Sequence, residues 1–403
     1  MDLTRCKTID ISNDRPAIEG GKPMFKEKLN IIRPTLIDSD EFVGELREIF
    51  SSGNVTVSKY VKLFEQECVQ YLGVKEAVAV SSATSGLMLA VKALGLKGEV
   101  VVPSFTFTAT VHSLIWNGLT PVFVDCEEGT YNIDVEKVER KITTKTSAII
   151  PVYIFGNPSR IGELAKIAKK HGLRLVFDSA QAFGAEYGGV RAGGFGDCEV
   201  FSLSPTKALT AIEGGLITTN DIKLAEYLRR ARDYGKCGED IESVGLSARM
   251  SELHALVGLK NLGNVERCLK TRRDLIALYQ GLLKDIDGIS FQKVLPGNKS
   301  SGNYMVIFID EKRFGMSRDT LYEALEAENI ETKKYFYPAV HMQKAYRAFR
   351  EEYEGKLPVT EKASEAGLAL PLYGHMEPVN VEKVCRAIMR IHSFMNEKIE
   401  TRR

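Results

Sequence analysis

Residues 161–178 read Ile-Gly-Glu-Leu-Ala-Lys-Ile-Ala-Lys-Lys-His-Gly-Leu-Arg-Leu-Val-Phe-Asp and contain both elements from which the fold is built. Apolar residues at helical spacing predict a helix over residues 161–171. After the break at Gly172, the apolar run 173–177 predicts a strand, and Asp178 follows it directly. This stretch therefore predicts a helix, a strand and a carboxylate at the carboxyl end of that strand.

The same alternation continues on both sides of this stretch. Apolar runs rich in Val, Ile and Phe predict seven strands, at residues 77–80, 100–102, 121–124, 148–154, 173–177, 200–203 and 215–218. Helical patterns lie between most of them, for example at residues 85–94, 109–117 and 135–142. Strands that alternate with helices indicate βαβ units, so we predict an α/β fold with a mostly parallel seven-stranded sheet flanked by helices.

The remainder of the chain has a different pattern. A long helical pattern over residues 252–283 is followed by apolar runs at 289–291 and 304–309 and by further helices, which predicts a smaller α+β domain. We predict an N-terminal arm at residues 1–25, a large cofactor-binding α/β domain at 26–270 and a small C-terminal α+β domain at 271–403.

Composition excludes several classes of protein. The 403 residues are 44% apolar and 27% charged, as in ordinary globular proteins. The 54 basic and 53 acidic residues give a net charge of +1, so we expect no nucleic-acid partner. No apolar run approaches the roughly 18 residues of a membrane span, so we expect no membrane partner. Seven scattered cysteines and the lack of an apolar leader predict a cytoplasmic protein with reduced thiols. Six isolated histidines predict no metal site.

Four positions at predicted strand ends carry the candidate chemistry, because open α/β sheets bind ligands there. Ser81-Ser-Ala-Thr-Ser-Gly86 opens a helix whose N–H groups attract phosphate, Phe105-Thr-Phe107 supplies aromatic rings, and Asp178 supplies a carboxylate. Lys207 ends the stretch Phe201-Ser-Leu-Ser-Pro-Thr-Lys. Taken singly, these residues are more often a helix cap, core packing, a turn residue and a surface lysine. Together they are the parts needed to hold pyridoxal 5'-phosphate (PLP). Dinucleotide, P-loop and HExxH motifs are missing.

The chain also resembles the DegT/DnrJ/EryC1/StrS family of PLP-dependent nucleotide-sugar aminotransferases. The resemblance runs through ordered blocks over nearly the whole sequence, including Asp178-Ser-Ala-Gln-Ala182, Glu213-Gly-Gly215 and Arg249-Met-Ser-Glu252. Further matching blocks are residues 64–67, 71–74, 82–84, 103–110, 121–125, 201–207 and 370–372. The resemblance implies an aminotransferase of fold type I with PLP as its cofactor.

Roles for individual residues follow from the resemblance. It implies that Lys207 is the catalytic lysine, which bonds covalently to PLP and also moves the substrate proton. It implies that the other cofactor-binding residues are Ser82, Ala83, Thr84 and Ser202 at the phosphate, Asp178 at the pyridine nitrogen, Gln181 at the ring hydroxyl, and Ala180 and Phe107 on the two ring faces.

The resemblance further implies a homodimer with shared active sites, in which the segment 245–249 crosses to the neighbouring subunit. Ser247 stands in that segment where the family commonly has Asn, and Ala83 stands where Gly is common, which weakens the expected phosphate contact. Arg249, Lys333, Tyr335 and His341 are candidate substrate contacts, although surface or packing roles suit the last three residues almost as well.

The implied reaction moves an amino group from an amino acid, with L-glutamate expected, to a keto group of a nucleotide-linked deoxy sugar by a ping-pong Schiff-base mechanism. One alternative is a PLP- or pyridoxamine-dependent sugar dehydratase, although such relatives carry His at the position of Lys207. A cyclitol aminotransferase is another. A non-enzymatic regulator would predict loss of the cofactor residues, whereas Asp178, Gln181, Ser202 and Lys207 are all present.

Overall fold

The computed structural model of the protein describes residues 15–400, with side chains through residue 397. The first 14 residues of the predicted N-terminal arm, including Cys6, lie outside the described residues. Within the described range the helices are α1 (Val43–Ser52), α2 (Lys59–Leu72), α3 (Ala83–Ala93), α4 (Thr108–Trp116), α5 (Val135–Val138), α6 (Ile161–His171), α7 (Ile222–Ala231), α8 (Glu252–Leu262), α9 (Val265–Leu283), α10 (Glu311–Phe314), α11 (Arg318–Ala327), α12 (Arg347–Tyr353), α13 (Pro358–Ala366) and α14 (Pro378–Glu400).

The strands form one large sheet, one smaller sheet and two short hairpins. They are β1 (Glu76–Val80), β2 (Glu99–Pro103), β3 (Thr120–Val124), β4 (Thr146–Ile149), β5 (Arg174–Asp178), β6 (Glu186–Tyr187), β7 (Val190–Arg191), β8 (Cys198–Ser202), β9 (Gly215–Thr219), β10 (Lys236–Cys237), β11 (Asp240–Ile241), β12 (Ile289–Phe291), β13 (Met305–Ile309), β14 (Lys333–Lys334) and β15 (Gly367–Leu370). The large sheet has the order β1-β9-β8-β5-β4-β2-β3, and its seven strands confirm the predicted α/β fold.

The direction of the strands decides where a ligand can bind. Pairings among β2, β3, β4, β5 and β8 are parallel, and β9 runs antiparallel to both of its neighbours, β1 and β8. Six strands therefore end at one edge of the sheet, and β9 begins there. The register shows this directly, because Gly215 lies opposite both Val80 and Ser202.

Helices cover both faces of the large sheet, which explains why its strands have no polar face. In β2, Val101 packs in one hydrophobic cluster, and Val100 and Val102 pack in another on the opposite side of the sheet. The predicted helix at 161–171 matches α6, which ends at Gly172 with φ of +65°. A left-handed residue stops a helix, and glycine takes that conformation without strain.

Three predicted elements have different bounds in the structure. The run 148–154 is not one strand, because β4 ends at Ile149 and Pro151 cannot donate to a ladder. The long helical pattern over 252–283 is two helices in the structure, since Gly263 and Asn264 separate α8 from α9. Glycine is a poor helix former and Asn favours helix ends, which explains the break. The helix predicted at 135–142 is shorter, because α5 passes into a 3-10 helix at Glu139–Lys141.

The small domain is built on a four-stranded antiparallel sheet with the order β12-β13-β15-β14. Helix α9 links the domains, since Leu269 packs in a large-domain cluster and Tyr279 packs in the small-domain cluster. The boundary predicted near residue 270 falls inside this helix and stays a prediction. Met24 and Phe25, from the predicted N-terminal arm, pack against the small-domain cluster. Among residues 15–400, no helix combines the length and apolar composition that crossing a bilayer requires.

Candidate active site

The carboxyl edge of the large sheet gathers the residues predicted to hold the cofactor. We call the set Ser82, Asp178, Ser202, Lys207 and Gly215 the cofactor edge. Ser82 follows β1, Asp178 ends β5, Ser202 ends β8, and Gly215 begins β9. Lys207 lies in the connection between β8 and β9, so two neighbouring strands fix both ends of its loop at this edge.

The turn from β1 into α3 is shaped to receive an anion. Ser82 caps the helix, and its Oγ accepts the N–H of Ser85 at 3.1 Å. The first N–H groups of a helix have no acceptor within it, and in the described part of the chain nothing accepts the amides of Ala83 and Thr84. Those two amides and the positive end of the helix dipole fit a phosphate group.

Gly215 explains how close the backbone comes to this turn. A Cβ on Gly215 would lie 2.5 Å from the carbonyl carbon of Ser82 and 2.6 Å from the amide nitrogen of Ala83. Real Cβ atoms do not approach backbone so closely, so a side chain there would push the Ser82 turn out of place. Glycine is therefore required for packing β9 against the anion-binding turn.

Asp178 is a buried acid with few partners. One carboxylate oxygen accepts the hydroxyl of Thr110 at 2.7 Å, and the other accepts the N–H of Ala180 at 3.1 Å. Burial raises the pKa of the Asp178 carboxyl, against these two hydrogen bonds and the positive charge of Lys207. A carboxylate in this environment gains from a cationic neighbour, which suits the protonated ring nitrogen of PLP.

Lys207 is half-buried, and its backbone N–H donates to the carbonyl oxygen of Ser204 at 3.0 Å. Its Nζ lies 5.7 Å from the ring centroid of Tyr304. The hydroxyl of Ser202 donates to Oγ of Ser204 at 3.3 Å, so the proposed phosphate ligand and the lysine belong to one ordered loop. An amine in this position can attack a bound aldehyde, as covalent catalysis by lysine requires.

The structure separates the two phenylalanines of the 105–107 stretch. Phe105 is fully buried in an aromatic cluster, whereas 56% of Phe107 is exposed at the start of α4. Phe107 is therefore the ring that can cover a ligand. Gln181 is buried, and its Oε1 accepts the N–H of Phe155 at 3.0 Å, which leaves its NH₂ group for a ligand oxygen. Ala180 is half-buried between Asp178 and Gln181.

The segment predicted to cross between subunits lies beside the end of β1. Ser81 donates its N–H to the carbonyl oxygen of Ala248 at 2.8 Å. Ser247 is exposed, and Arg249 pairs with Asp233 while its guanidinium lies 5.2 Å from the ring centroid of Tyr234. Within the described part of this chain, no contact joins Ser247 or Arg249 to Lys207.

Two of the three candidate substrate contacts of the small domain reach the site through Tyr304. The rings of Tyr335 and Tyr304 have centroids 4.9 Å apart, and Nζ of Lys333 lies 5.1 Å from the ring centroid of Tyr335. We call Tyr304, Tyr335, Phe155 and Phe336 the aromatic seam, because their rings join the two domains. Phe155 and Phe336 stack with centroids 5.7 Å apart.

His341 is placed differently. The residue is completely buried, with Nδ1 2.7 Å from Oγ of Ser104 and Nε2 3.4 Å from a carboxylate oxygen of Glu361. Burial lowers the pKa of its imidazole, although the hydrogen bond and charge of Glu361 oppose the shift. His341 thus joins Ser104, directly after β2, to Glu361 in α13, whereas a substrate contact stays a prediction.

Sequence reasoning missed two residues of the site. Thr110 holds Asp178, and Tyr304 faces Lys207. A hydroxyl in the first turn of a helix that follows a strand, as at Thr110, was a usable signal. No local pattern marks Tyr304, since it reads as the first residue of an apolar run and faces the site only after the small domain packs.

The model of the DegT/DnrJ/EryC1/StrS aminotransferase family matches residues 37–389. The dTDP-4-amino-4,6-dideoxy-D-glucose transaminase of Escherichia coli is 34% identical over 372 residues, which cover 91% of this chain and 99% of that protein. GDP-perosamine synthase of Vibrio cholerae is 33% identical over 350 residues, covering 85% of this chain and 94% of that protein.

A solved structure agrees with these sequence matches. The crystal structure of DesI in the presence of its TDP-sugar product has a TM-score of 0.88 at 35% identity and covers 95% of this chain and 97% of that chain. The predicted family, fold type and cofactor are thereby confirmed. The chain is a PLP-dependent aminotransferase and belongs to the DegT/DnrJ/EryC1/StrS aminotransferase family.

Proposed function

We propose that the protein transfers an amino group from an amino acid, L-glutamate, to a keto group of a nucleotide-linked deoxy sugar. One observation carries the proposal: the amine of Lys207, the buried carboxylate of Asp178 and the anion-binding turn at Ser82 meet at one edge of the sheet. The names of the relatives support the acceptor class, since the Escherichia coli protein is a transaminase of a dTDP-linked amino sugar.

Bound PLP supplies a conjugated ring that accepts an electron pair from a substrate carbon. The chain holds this group at two ends. The amides of Ala83 and Thr84 would bind the phosphate, and the Asp178 carboxylate would stabilise a positive charge on the ring nitrogen. Thr110 and the N–H of Ala180 hold that carboxylate in place, so Asp178 would act without rearranging during the reaction.

Lys207 moves the proton in each half of the reaction. With an amino substrate bound, the free amine of Lys207 would take the proton from the substrate carbon, hold it and give it back, and bound PLP would supply the electron sink. The same residue works in the reverse sense on the keto sugar. A two-stage cycle of this kind needs one flexible base that serves both half-reactions, and Lys207 is the candidate.

Two measurements test this proposal. Borohydride reduction of the PLP-loaded protein followed by peptide mapping should place a pyridoxyl adduct on Lys207. The loaded protein should then be converted with L-glutamate and given a panel of nucleotide keto-sugars, with keto-cyclitols as competitors. Mass spectrometry should detect an amino product from a nucleotide sugar, and a product from the cyclitols alone would overturn the acceptor class.

The competing activities have less support. A dehydratase of this fold is expected to carry His at position 207, where this chain has Lys. A regulator without activity would not need the cofactor edge to be ordered for catalysis. In this chain, Thr110 and Ala180 both hold the Asp178 carboxylate in place. No contact in the described residues favours either alternative over amino transfer.

A homodimer with shared active sites is supported by apolar side chains around the segment predicted to cross over. Tyr234, Ile241 and Val244 are exposed there, and 70% of Val244 faces solvent. Exposed apolar groups of this size indicate a protein interface. A second copy packed on this surface would bring its Ser247 and Arg249 toward the cofactor edge.

Light scattering should give the mass of a dimer. Because each site of a shared dimer takes residues from both subunits, an equal mixture of Lys207→Ala and Arg249→Ala chains should recover about one quarter of wild-type activity after subunit exchange. Mixtures as inactive as the separate variants would overturn the sharing of Arg249.

A cytoplasmic location is supported by the state of the cysteines. Six cysteines of the described residues are free, and five of them are buried. Free thiols are typical of a reducing compartment.

A further inference from the structure

Tyr304 is a residue of the small domain that contacts Lys207. It directly precedes β13, and its ring centroid lies 5.7 Å from Nζ of the lysine, within the roughly 6 Å range of cation–π interactions. Its hydroxyl donates to Oγ1 of Thr206 at 3.3 Å. The ring is therefore tethered to the residue beside the lysine whose amine it faces.

A second tether fixes the backbone at this point. Oδ1 of Asn303 accepts the N–H of Ala208 at 3.1 Å. The residues before and after Lys207 are thus both bonded to the pair Asn303 and Tyr304. These two hydrogen bonds join the segment that leads into β13 to the loop that carries Lys207.

The charges of Lys207 and Tyr304 are also linked. Burial alone raises the pKa of the Tyr304 hydroxyl, but the positive charge of Lys207, hydrogen bonds with Thr206 and Tyr335, and the charge of Arg272 bring that pKa below its ordinary value. A cation is attracted to the face of an aromatic ring, and Nζ of Lys207 lies 5.7 Å from the Tyr304 ring centroid.

The aromatic seam keeps the Tyr304 ring in place. Tyr335 packs edge-on against it, and Phe155 packs edge-on with centroids 6.3 Å apart. These two ring contacts and the hydrogen bond to Thr206 leave the Tyr304 side chain little freedom. A fixed ring can hold a mobile amine.

We propose that Tyr304 is a positioning residue for Lys207, whose ring face holds the amine beside the reacting carbon and favours its protonated form while the amine is detached from the cofactor. The inference rests on the proposed role of Lys207. In that stage Lys207 accepts the substrate proton and later returns it, while Tyr304 neither forms nor breaks a bond.

The test compares three variants. Tyr304→Leu removes the ring, Tyr304→Phe keeps the ring and removes the hydroxyl, and Tyr322→Leu is the matched control, because Lys334 lies 4.8 Å from the Tyr322 ring centroid elsewhere in the small domain. Conversion of the PLP-loaded enzyme by L-glutamate is followed in single turnovers by cofactor absorbance across pH. Lys207 acts as a base only when deprotonated, so the rate rises with pH through its apparent pKa.

We expect Tyr304→Leu to move this midpoint down by about half a pH unit, because the cation loses its ring. Its maximal rate should fall about tenfold from poorer placement of the amine. Tyr304→Phe and Tyr322→Leu should keep the wild-type midpoint. The absorbance titration of the lysine–cofactor nitrogen, measured without substrate, should shift in the same direction.

An unchanged midpoint in Tyr304→Leu, or an equal shift in Tyr304→Phe, would overturn the role of the ring face. If Tyr304→Leu fails to fold, the comparison of phenylalanine with pentafluorophenylalanine at position 304 decides, since only the ring charge distribution differs. The fluorinated ring should lower the midpoint. A borohydride adduct on Lys207 with an unchanged midpoint would contradict only the role of Tyr304. A missing adduct would contradict the proposed role of Lys207 itself.

Discussion

The cofactor edge and the aromatic seam face each other across the site, but they are built differently. The cofactor edge stands on strand ends of one sheet, where Asp178 and the Ser82 turn are held by hydrogen bonds to their own domain. The aromatic seam joins rings from two domains, and Lys333 at its outer end is exposed. We propose that the edge fixes the chemistry of the cofactor, whereas exposed residues at the outer end of the seam, such as Lys333, contact the sugar.

The comparison of two lysines gives the largest expected effect. Lys207→Ala should lower the rate of the half-reaction with L-glutamate by about 10⁴-fold, since it removes both the covalent attachment and the general base. Lys333→Ala should leave that half-reaction intact and raise only the KM for the sugar. Stopped-flow absorbance measures the rate of the half-reaction, and steady-state kinetics measure the KM for the sugar. An equal loss of the half-reaction rate in both variants would contradict the distinction between the two regions.

Asp178→Asn is expected to slow the same half-reaction by about 10³-fold, because an amide cannot stabilise a cationic ring nitrogen. Thr110→Val is the matched comparison, since it keeps the carboxylate and removes one of its hydrogen bonds. It should cost about tenfold. Rates should be compared at saturating PLP, and an Asp178→Asn enzyme as fast as Thr110→Val would contradict the assigned charge.

Glu199 is a buried acid beside the cofactor edge, and its ionisation should make the free energy of unfolding depend on pH. Its carboxylate accepts the Ser179 hydroxyl at 2.5 Å and the N–H groups of Gly193 and Phe195, and burial raises its pKa to about 7. Between about pH 4.5 and 7 the folded chain holds a proton that the unfolded chain releases. The free energy of unfolding should therefore fall by about 3 kcal/mol as the pH rises through this window.

Urea unfolding at pH 5 and pH 8 measures this slope in the cofactor-free protein. Glu199→Gln retains an oxygen for the two N–H groups and cannot ionise, so its stability should change less over the same range. A variant with the full wild-type slope would show that another group titrates.

Gly215→Ala should produce the smallest change of the four. The added methyl group meets the backbone of Ser82 and Ala83, so PLP affinity should fall about tenfold and stability by about 1–3 kcal/mol. Gly281→Ala is the control, because nothing lies within 4 Å of its added Cβ and alanine is a better helix former at this exposed position of α9. Calorimetry and PLP titration should distinguish Gly215→Ala from Gly281→Ala. A Gly215→Ala variant with wild-type stability and PLP affinity would mean that the Ser82 turn can move to accommodate the methyl group.

The sequence was most informative where local pattern and position agree. All seven strands of the large sheet are predictable because each is a short apolar run bounded by polar or turn-forming residues, and Asp178 is recognisable because it ends such a run. The break between α8 and α9 is not predictable from apolar spacing, which continues through Gly263 and Asn264. Tyr304 and His341 gain their neighbours only through packing between distant segments, so their surroundings could not be derived from spacing.

The reversed direction of β9 has a further consequence for the lysine. In an all-parallel sheet, the chain leaving β8 would cross to the far edge before pairing again, usually through a helix. Here the chain returns to the neighbouring strand through a single loop, so paired strands hold both ends of the loop that carries Lys207. This restraint keeps the detached amine at a high effective concentration beside the ring. Lengthening this loop should dilute the amine even if every side chain of the site is retained.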